Sequence, residues 1–172
     1  MSKNILILSG SPRKGGNSDI LCDRFMEGAR ESGHRAEKVF LRDKNIGYCI
    51  GCEACHQNNG VCVQKDDMEK VYPALLECDA LVLASSIYYF TMTAQIQAAI
   101  QRIYAIDHPP KATKAALMLS SMSPEVYEGS IGEYEGIIDY MGLENKGIIP
   151  ADDSENGTEA LMEKCRALGK AM

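Results

Sequence analysis

The stretch from Asn4 to Ser18 constrains this chain most. An apolar run, Ile5 to Leu8, ends in Ser9-Gly10-Ser11-Pro12-Arg13-Lys14-Gly15-Gly16-Asn17, and an amphipathic segment opens near Ser18. That is strand, loop, helix, with the helix opening where glycines and hydroxyls are densest. A helix N-terminus carries unpaired N–H groups and partial positive charge, so a phosphate can sit there. Glycines let the loop curl close to an anion because no Cβ intervenes. Ser9, Ser11, Asn17 and Ser18 add side-chain donors, and Arg13 and Lys14 add positive field. The loop reads as a phosphate cradle.

Spacing excludes two better-known phosphate loops. Gly10 and Gly15 are separated as in a P-loop, but Gly16-Asn17 stands where Lys and Ser/Thr are required. The dinucleotide pattern G-x-G-x-x-G fails because Ser11-Pro12 follows Gly10. What remains suits a single terminal phosphate, as on a mononucleotide.

At 172 residues the chain is long enough for a real core, and residues 1–172 read as one domain. The net charge of −6, with no basic stripe, argues against nucleic acid as a partner. No apolar run reaches eighteen residues, and Met1-Ser2-Lys3-Asn4 lacks a secretory pattern. A cytoplasmic location is therefore expected, with no membrane partner. Seven cysteines, an odd number, argue against a disulfide framework. Cys22, Cys78 and Cys165 stand apart and are expected to pack as small hydrophobes.

After the cradle, helical spacing runs from Ser18 to Ser32, and Arg35 to Leu41 reads as a strand. Residues 42–65 form a long loop without periodicity, a length that is usually functional. Asp66-Asp67 opens a helix running to about Glu77. Asp79 to Ser85 is a continuous apolar strand of the kind buried on both faces. Ser85 to Met92 reads as a loop and Thr93 to Ile106 as a helix. A strand at Ala115–Leu119, a loop at Ser120–Gly129 and a helix at about Ser130–Met141 follow. A strand around Lys146–Ile149 and a last helix from about Ser154 complete the chain. This alternation predicts an α/β fold: a doubly wound five-stranded parallel sheet, helices on both faces, in the flavodoxin-like order 2-1-3-4-5. Ligands of such sheets sit beyond the carboxyl ends of strands 1 and 3.

The loop after strand 3 reads Ser86-Ile87-Tyr88-Tyr89-Phe90. The chain has 8 tyrosines, 3 phenylalanines and no tryptophan, and three of these aromatics are consecutive here. Aromatic faces, hydroxyls and loop amides at the mouth of the sheet fit a planar heterocycle whose phosphate lies in the cradle. Amides aimed at a ring that gains negative charge on reduction would stabilise the reduced form. Ser120-Ser121-Met122-Ser123-Pro124 opens on the same side, able to close over the far edge of the ring, with Tyr127 reaching in.

Within the long loop, Cys49, Cys52, Cys55 and Cys62 have the form C-x2-C-x2-C-x6-C. Three cysteines at x2 spacing resemble the start of a ferredoxin cluster run, and a [4Fe-4S] cubane needs the four thiolates this loop supplies. Zinc would accept the same four, although structural zinc usually takes two separated C-x2-C pairs. Metal-free thiols, or a Cys/His pair using His56, are the other readings.

The cradle Leu8 to Ser18, the stretch Ile87 to Gln95, and Arg102 resemble the NAD(P)H-dependent FMN reductases of the flavodoxin-like superfamily. With the cysteines added, the chain is similar to the iron–sulfur flavoproteins. The resemblance implies noncovalent FMN, its phosphate held by Ser11, Arg13, Asn17 and Ser18. Its isoalloxazine would lie along Ser86, Ile87, Tyr88, Tyr89 and Phe90 and near Ser121. It also implies a homodimer with flavins at the subunit interface, and a [4Fe-4S] cluster on the cysteine loop. Ser86 stands where many relatives carry Pro.

The function expected is a flavin-dependent oxidoreductase. FMN would take electrons from NAD(P)H and pass them to a small acceptor such as a quinone, a nitro or azo compound, or free flavin. No side chain is assigned as a catalytic acid or base. The rival is a non-enzymatic carrier relaying electrons from ferredoxin through cluster and FMN. A redox sensor built on Cys49–Cys62 is the third reading.

Overall fold

The computed structural model describes residues 2–172. In chain order the elements are β1 (Asn4–Ser9), α1 (Asn17–Glu31), β2 (Arg35–Phe40), the short α2 (Ala54–Gln57), α3 (Met68–Glu77), β3 (Ala80–Tyr88) and β4 (Thr91–Met92). They continue with α4 (Ala94–Ile103), β5 (Lys114–Ser120), α5 (Glu128–Tyr140), β6 (Glu144–Ala151) and α6 (Glu159–Lys170). The sheet order is β2-β1-β3-β5-β6, all parallel, and β4 pairs antiparallel with the end of β3. Counting parallel strands alone, this is the expected 2-1-3-4-5.

Alternation along each strand divides the core into two faces. Leu6, Leu8, Leu81, Leu83, Leu117 and Leu119 pack against α3, α4 and α5 through Leu75, Ile96 and Tyr134. Ile5, Ile7, Val82, Ala84, Ala116 and Met118 pack against α1 and α6 through Phe25 and Leu161. The three central strands read as continuous apolar runs because both faces are covered. Cys22, Cys78 and Cys165 are buried in this core, as expected.

Where α1 crosses α6 the backbones touch. A Cβ added at Gly28 would lie 1.9 Å from the Arg166 carbonyl oxygen, and one at Gly169 would lie 2.1 Å from that of Phe25. No side chain fits there, so the crossing fixes where the N-terminus of α1 points.

Three boundaries differ from the sequence expectation. The segment Ser85–Met92 is a hairpin rather than an open loop, because Ile87 pairs with Met92 and Tyr88 with Thr91. The last helix opens at Glu159 rather than Ser154. Asp152 accepts from the Ser154 N–H at 2.8 Å and from its hydroxyl at 2.6 Å, which makes a turn, and Thr158 caps the helix. The region 42–65 carries one helical turn, α2, that its composition did not reveal. Among the described residues, no helix is long and apolar enough to cross a membrane.

Candidate functional site

The carboxyl ends of β1, β3 and β5 surround a pocket of about 400 Å³, within the roughly 300–1,000 Å³ of small-molecule sites. One end is the cradle: Ser11, Arg13, Gly16 and Asn17 line it. Gly16 is the N-cap of α1 and supplies no side-chain cap, so the first-turn N–H groups face the pocket end without an internal acceptor. Ser11 Oγ donates to the Arg13 carbonyl oxygen at 2.8 Å and folds the loop back on itself. Gly15 donates its N–H to Asp19 Oδ2 at 2.8 Å, and Lys38 Nζ reaches Asp19 Oδ1 at 2.6 Å. Burial opposes the Lys38 charge, but Asp19 and Asp23 hold its pKa above the ordinary lysine value. Nothing in the loop's composition announced Asp19 and Lys38 as its anchors.

The walls are Ser86, Ile87, Tyr88, Tyr89 and Phe90 on one side and Ser120, Ser121, Met122, Ser123 and Val126 on the other. Tyr89 and Phe90 form the two-residue turn between β3 and β4, with φ of 49° and 67°. Such turns favour Asn-Gly because both positions are left-handed. Two bulky aromatics there are strained, and strain of this kind concentrates at ligand sites. The turn is held by Thr91 Oγ1 donating to the Tyr88 carbonyl at 3.0 Å and Ser130 Oγ donating to that of Phe90 at 3.3 Å. Across the pocket, Ser121 Oγ and Tyr127 Oη are hydrogen-bonded at 2.6 Å.

Two of the serines named from sequence do not reach the pocket. Ser9 is fully buried, with its hydroxyl unpartnered among the protein's own groups. Ser18 is fully buried too. Its hydroxyl bonds Ser86 Oγ at 2.8 Å and Ser120 Oγ at 2.9 Å, pinning the start of α1 to the ends of β3 and β5. Both serines belong to the scaffold behind the cradle, and of the residues chosen for phosphate contact Ser11, Arg13 and Asn17 line the pocket.

The cysteine loop leaves β2 and returns to α3. Gly51, Glu53, Asn59 and Gly60 are all left-handed, which coils the chain tightly. Cys49, Cys52, Cys55 and Cys62 line one small cavity of about 20 Å³ together with Gln101, Arg102 and Tyr104. The Gly51 N–H approaches Cys49 Sγ at 3.5 Å. His56 packs edge-on against Tyr104, centroids 4.8 Å apart, rather than forming a catalytic pair with a thiol. Among the described residues, no group of three or more His, Cys, Asp or Glu side chains is placed to hold a metal ion. A single zinc would need four sulfurs at about 2.3 Å from one point. A cubane spreads its four thiolates over four irons and asks for no such point. Four cysteines around one cavity supply the number of thiolates that either group requires.

Arg102 joins this loop to the body. Its Nη1 donates to the Gly47 carbonyl at 3.0 Å and to Asp66 Oδ2 at 2.6 Å, and its Nη2 donates to Asp66 Oδ1 at 3.2 Å. Burial opposes the Arg102 charge, but Asp66, with Cys62 adding, holds its pKa above the usual range. Asp66 also accepts the N–H groups of Gly47 and Met68. Burial would raise its pKa, yet Arg102 and these amides hold it below the usual carboxylate value. From sequence, Asp66 reads only as a helix-opening acid.

A family model described as NADPH-dependent FMN reductase matches residues 3–144. The chain belongs to that family. Among its relatives, a protein named iron-sulfur flavoprotein from Archaeoglobus fulgidus is 38% identical over 143 residues, covering 82% of this chain and 62% of that protein. A second iron-sulfur flavoprotein, from Methanosarcina thermophila, is 29% identical over 154 residues, covering 87% of this chain and 78% of that protein. The chain thus spans under two thirds of the length of the first of these. Among solved structures, the NAD(P)H:quinone oxidoreductase from Methanothermobacter marburgensis shares the fold, with a TM-score of 0.73 at 20% identity, covering 99% of this chain and 98% of that one.

Proposed function

We propose that this chain is an oxidoreductase that binds FMN in the pocket between α1 and the β3–β4 hairpin, draws electrons from NAD(P)H and passes them to a small acceptor of the quinone type. One observation carries the reading. A pocket of about 400 Å³ has an uncapped helix N-terminus at one end and a strained aromatic turn along its wall. In that pocket Arg13, Asn17, Ser11 and the first-turn amides of α1 hold the phosphate. Ser86 to Phe90 and Ser121 to Ser123 bracket the ring system and keep water from its edge. When bound, FMN supplies the two-electron chemistry, and the protein supplies placement and local field. Cys49, Cys52, Cys55 and Cys62 hold a [4Fe-4S] cluster, and the working unit is a homodimer in the cytoplasm. Tyr89, 96% exposed, and the exposed Tyr48 and Ile50 beside the cysteines fit surfaces covered by a second copy.

The four cysteines around one cavity favour a second reading, a carrier that takes electrons from reduced ferredoxin. Anaerobic purification followed by an absorption spectrum and by iron, sulfide and zinc assays tests both cofactors. Rapid flavin bleaching by NADPH supports the enzyme, and bleaching by reduced ferredoxin alone supports the carrier. A colourless protein that takes up no FMN refutes both.

A further inference from the structure

A guanidinium taken out of water is costly unless each of its donors is satisfied. The Arg102 side chain is 1% exposed. Its two terminal nitrogens are committed to Gly47 and Asp66, whereas Nε is buried and has no hydrogen-bond partner. The same side chain lines the cavity shared by the four loop cysteines. The orphaned N–H thus belongs to a side chain that lines a cavity rich in sulfur. Sulfur acceptors in that cavity would satisfy the donor that the protein's own atoms leave unpaired.

We propose that Arg102 tunes the reduction potential of the iron–sulfur cluster on Cys49, Cys52, Cys55 and Cys62, its Nε–H donating a hydrogen bond to a cluster or cysteinyl sulfur. This rests on the reading that the loop holds a cluster. Hydrogen bonds to the sulfurs stabilise the electron-richer state and raise the potential. Asp66 grips both terminal nitrogens, which fixes the guanidinium and leaves Nε as the free donor. Arg102 is a positioning and tuning residue; it ligates no metal.

The test compares wild-type protein with the double variant Arg102→Met, Asp66→Asn, both purified anaerobically. The pair is removed together, so net charge is unchanged and neither partner is left buried and ionised. Iron, sulfide and FMN contents are measured, and the cluster is titrated by electron paramagnetic resonance with dithionite as the one-electron donor. The expected result is equal iron, sulfide and FMN in both proteins. The reduced cluster is disfavoured about tenfold in the variant, a fall of about 59 mV for a one-electron couple. An unmoved potential at full iron content overturns the proposal. Wild-type protein that holds no iron overturns the cluster itself, a distinct failure that takes the proposal with it. A measurement on wild-type protein requires no variant to fold. With 15N-labelled arginine, pulsed resonance of the reduced cluster shows a 15N coupling, and absence of coupling overturns the proposal.

Discussion

Ser18 and Ser120, 102 residues apart in sequence, share a buried hydrogen bond of 2.9 Å that ties the first turn of α1 to the end of β5. Ser86 completes the chain of hydroxyls at 2.8 Å from Ser18. The geometry separates two neighbouring residues by role. Asn17 lines the pocket and is exposed, whereas Ser18 stands behind it and is buried. Ser18→Ala should lower the stability of the FMN-free protein by about 1–2 kcal/mol, because the buried Ser120 hydroxyl and the half-buried Ser86 hydroxyl each lose a partner. Asn17→Ala should leave stability within about 0.5 kcal/mol and weaken FMN binding roughly tenfold or more, the worth of one hydrogen bond to a charged group. Thermal melts and flavin-fluorescence titrations of both variants decide the matter; equal effects on melting would refute the division.

Phe90 at φ 67° and Tyr89 at φ 49° make the hairpin turn expensive for its own residues. Strain of this kind costs about 1–3 kcal/mol per residue. Phe90→Gly relieves it at one position, where the native side chain is 62% exposed and little packing is lost. The FMN-free variant should melt higher than wild type, and FMN should bind it more weakly because a wall of the pocket is gone. A lower melting temperature would show that the turn is not strained in the free protein.

The sheet was legible because its three central strands are apolar without interruption and the segments between them carry helical spacing. The cradle was legible as a stretch, and its individual roles were not. Ser9 and Ser18 look like Ser11 in sequence, and only the third dimension reveals which hydroxyls face a ligand and which brace the strands. The hairpin escaped notice because Tyr-Phe is a poor turn sequence, and a local rule broken at a ligand site is invisible to propensity. The Arg102–Asp66 pair lies 36 residues apart in sequence, and no spacing rule links an acid before one helix to an arginine at the end of another.

Asp66 makes stability depend on acid. Its folded pKa lies below its ordinary value, so it stabilises the fold fully above about pH 4. That contribution is lost as pH falls through the folded pKa. Asp66→Asn leaves Arg102 buried without its counter-charge and should cost about 3–5 kcal/mol near neutrality. Urea midpoints of wild type and variant should therefore differ most at pH 7 and converge as pH drops below about 4. A gap that stays constant down to pH 3 would remove the ion pair from the stability of the loop.

The cysteines divide by environment, and alkylation reads that division. Burial pushes the thiols of Cys22, Cys78 and Cys165 up to about 12. At pH 7.5 a thiol with that pKa is ionised in about three molecules per hundred thousand, and the thiolate is the reacting form. Cys52 is exposed and Cys49 and Cys62 are half-buried at the surface loop. After iron is stripped with a chelator, iodoacetamide should label these three within minutes, while the core thiols stay unmodified until the protein is unfolded. In protein that retains iron, the loop cysteines should be protected as well, because their sulfurs are then ligands. Peptide mass mapping distinguishes the states. Rapid labelling of Cys52 in iron-replete protein would mean that this thiol is not a ligand, and the four-cysteine assignment would lose a member.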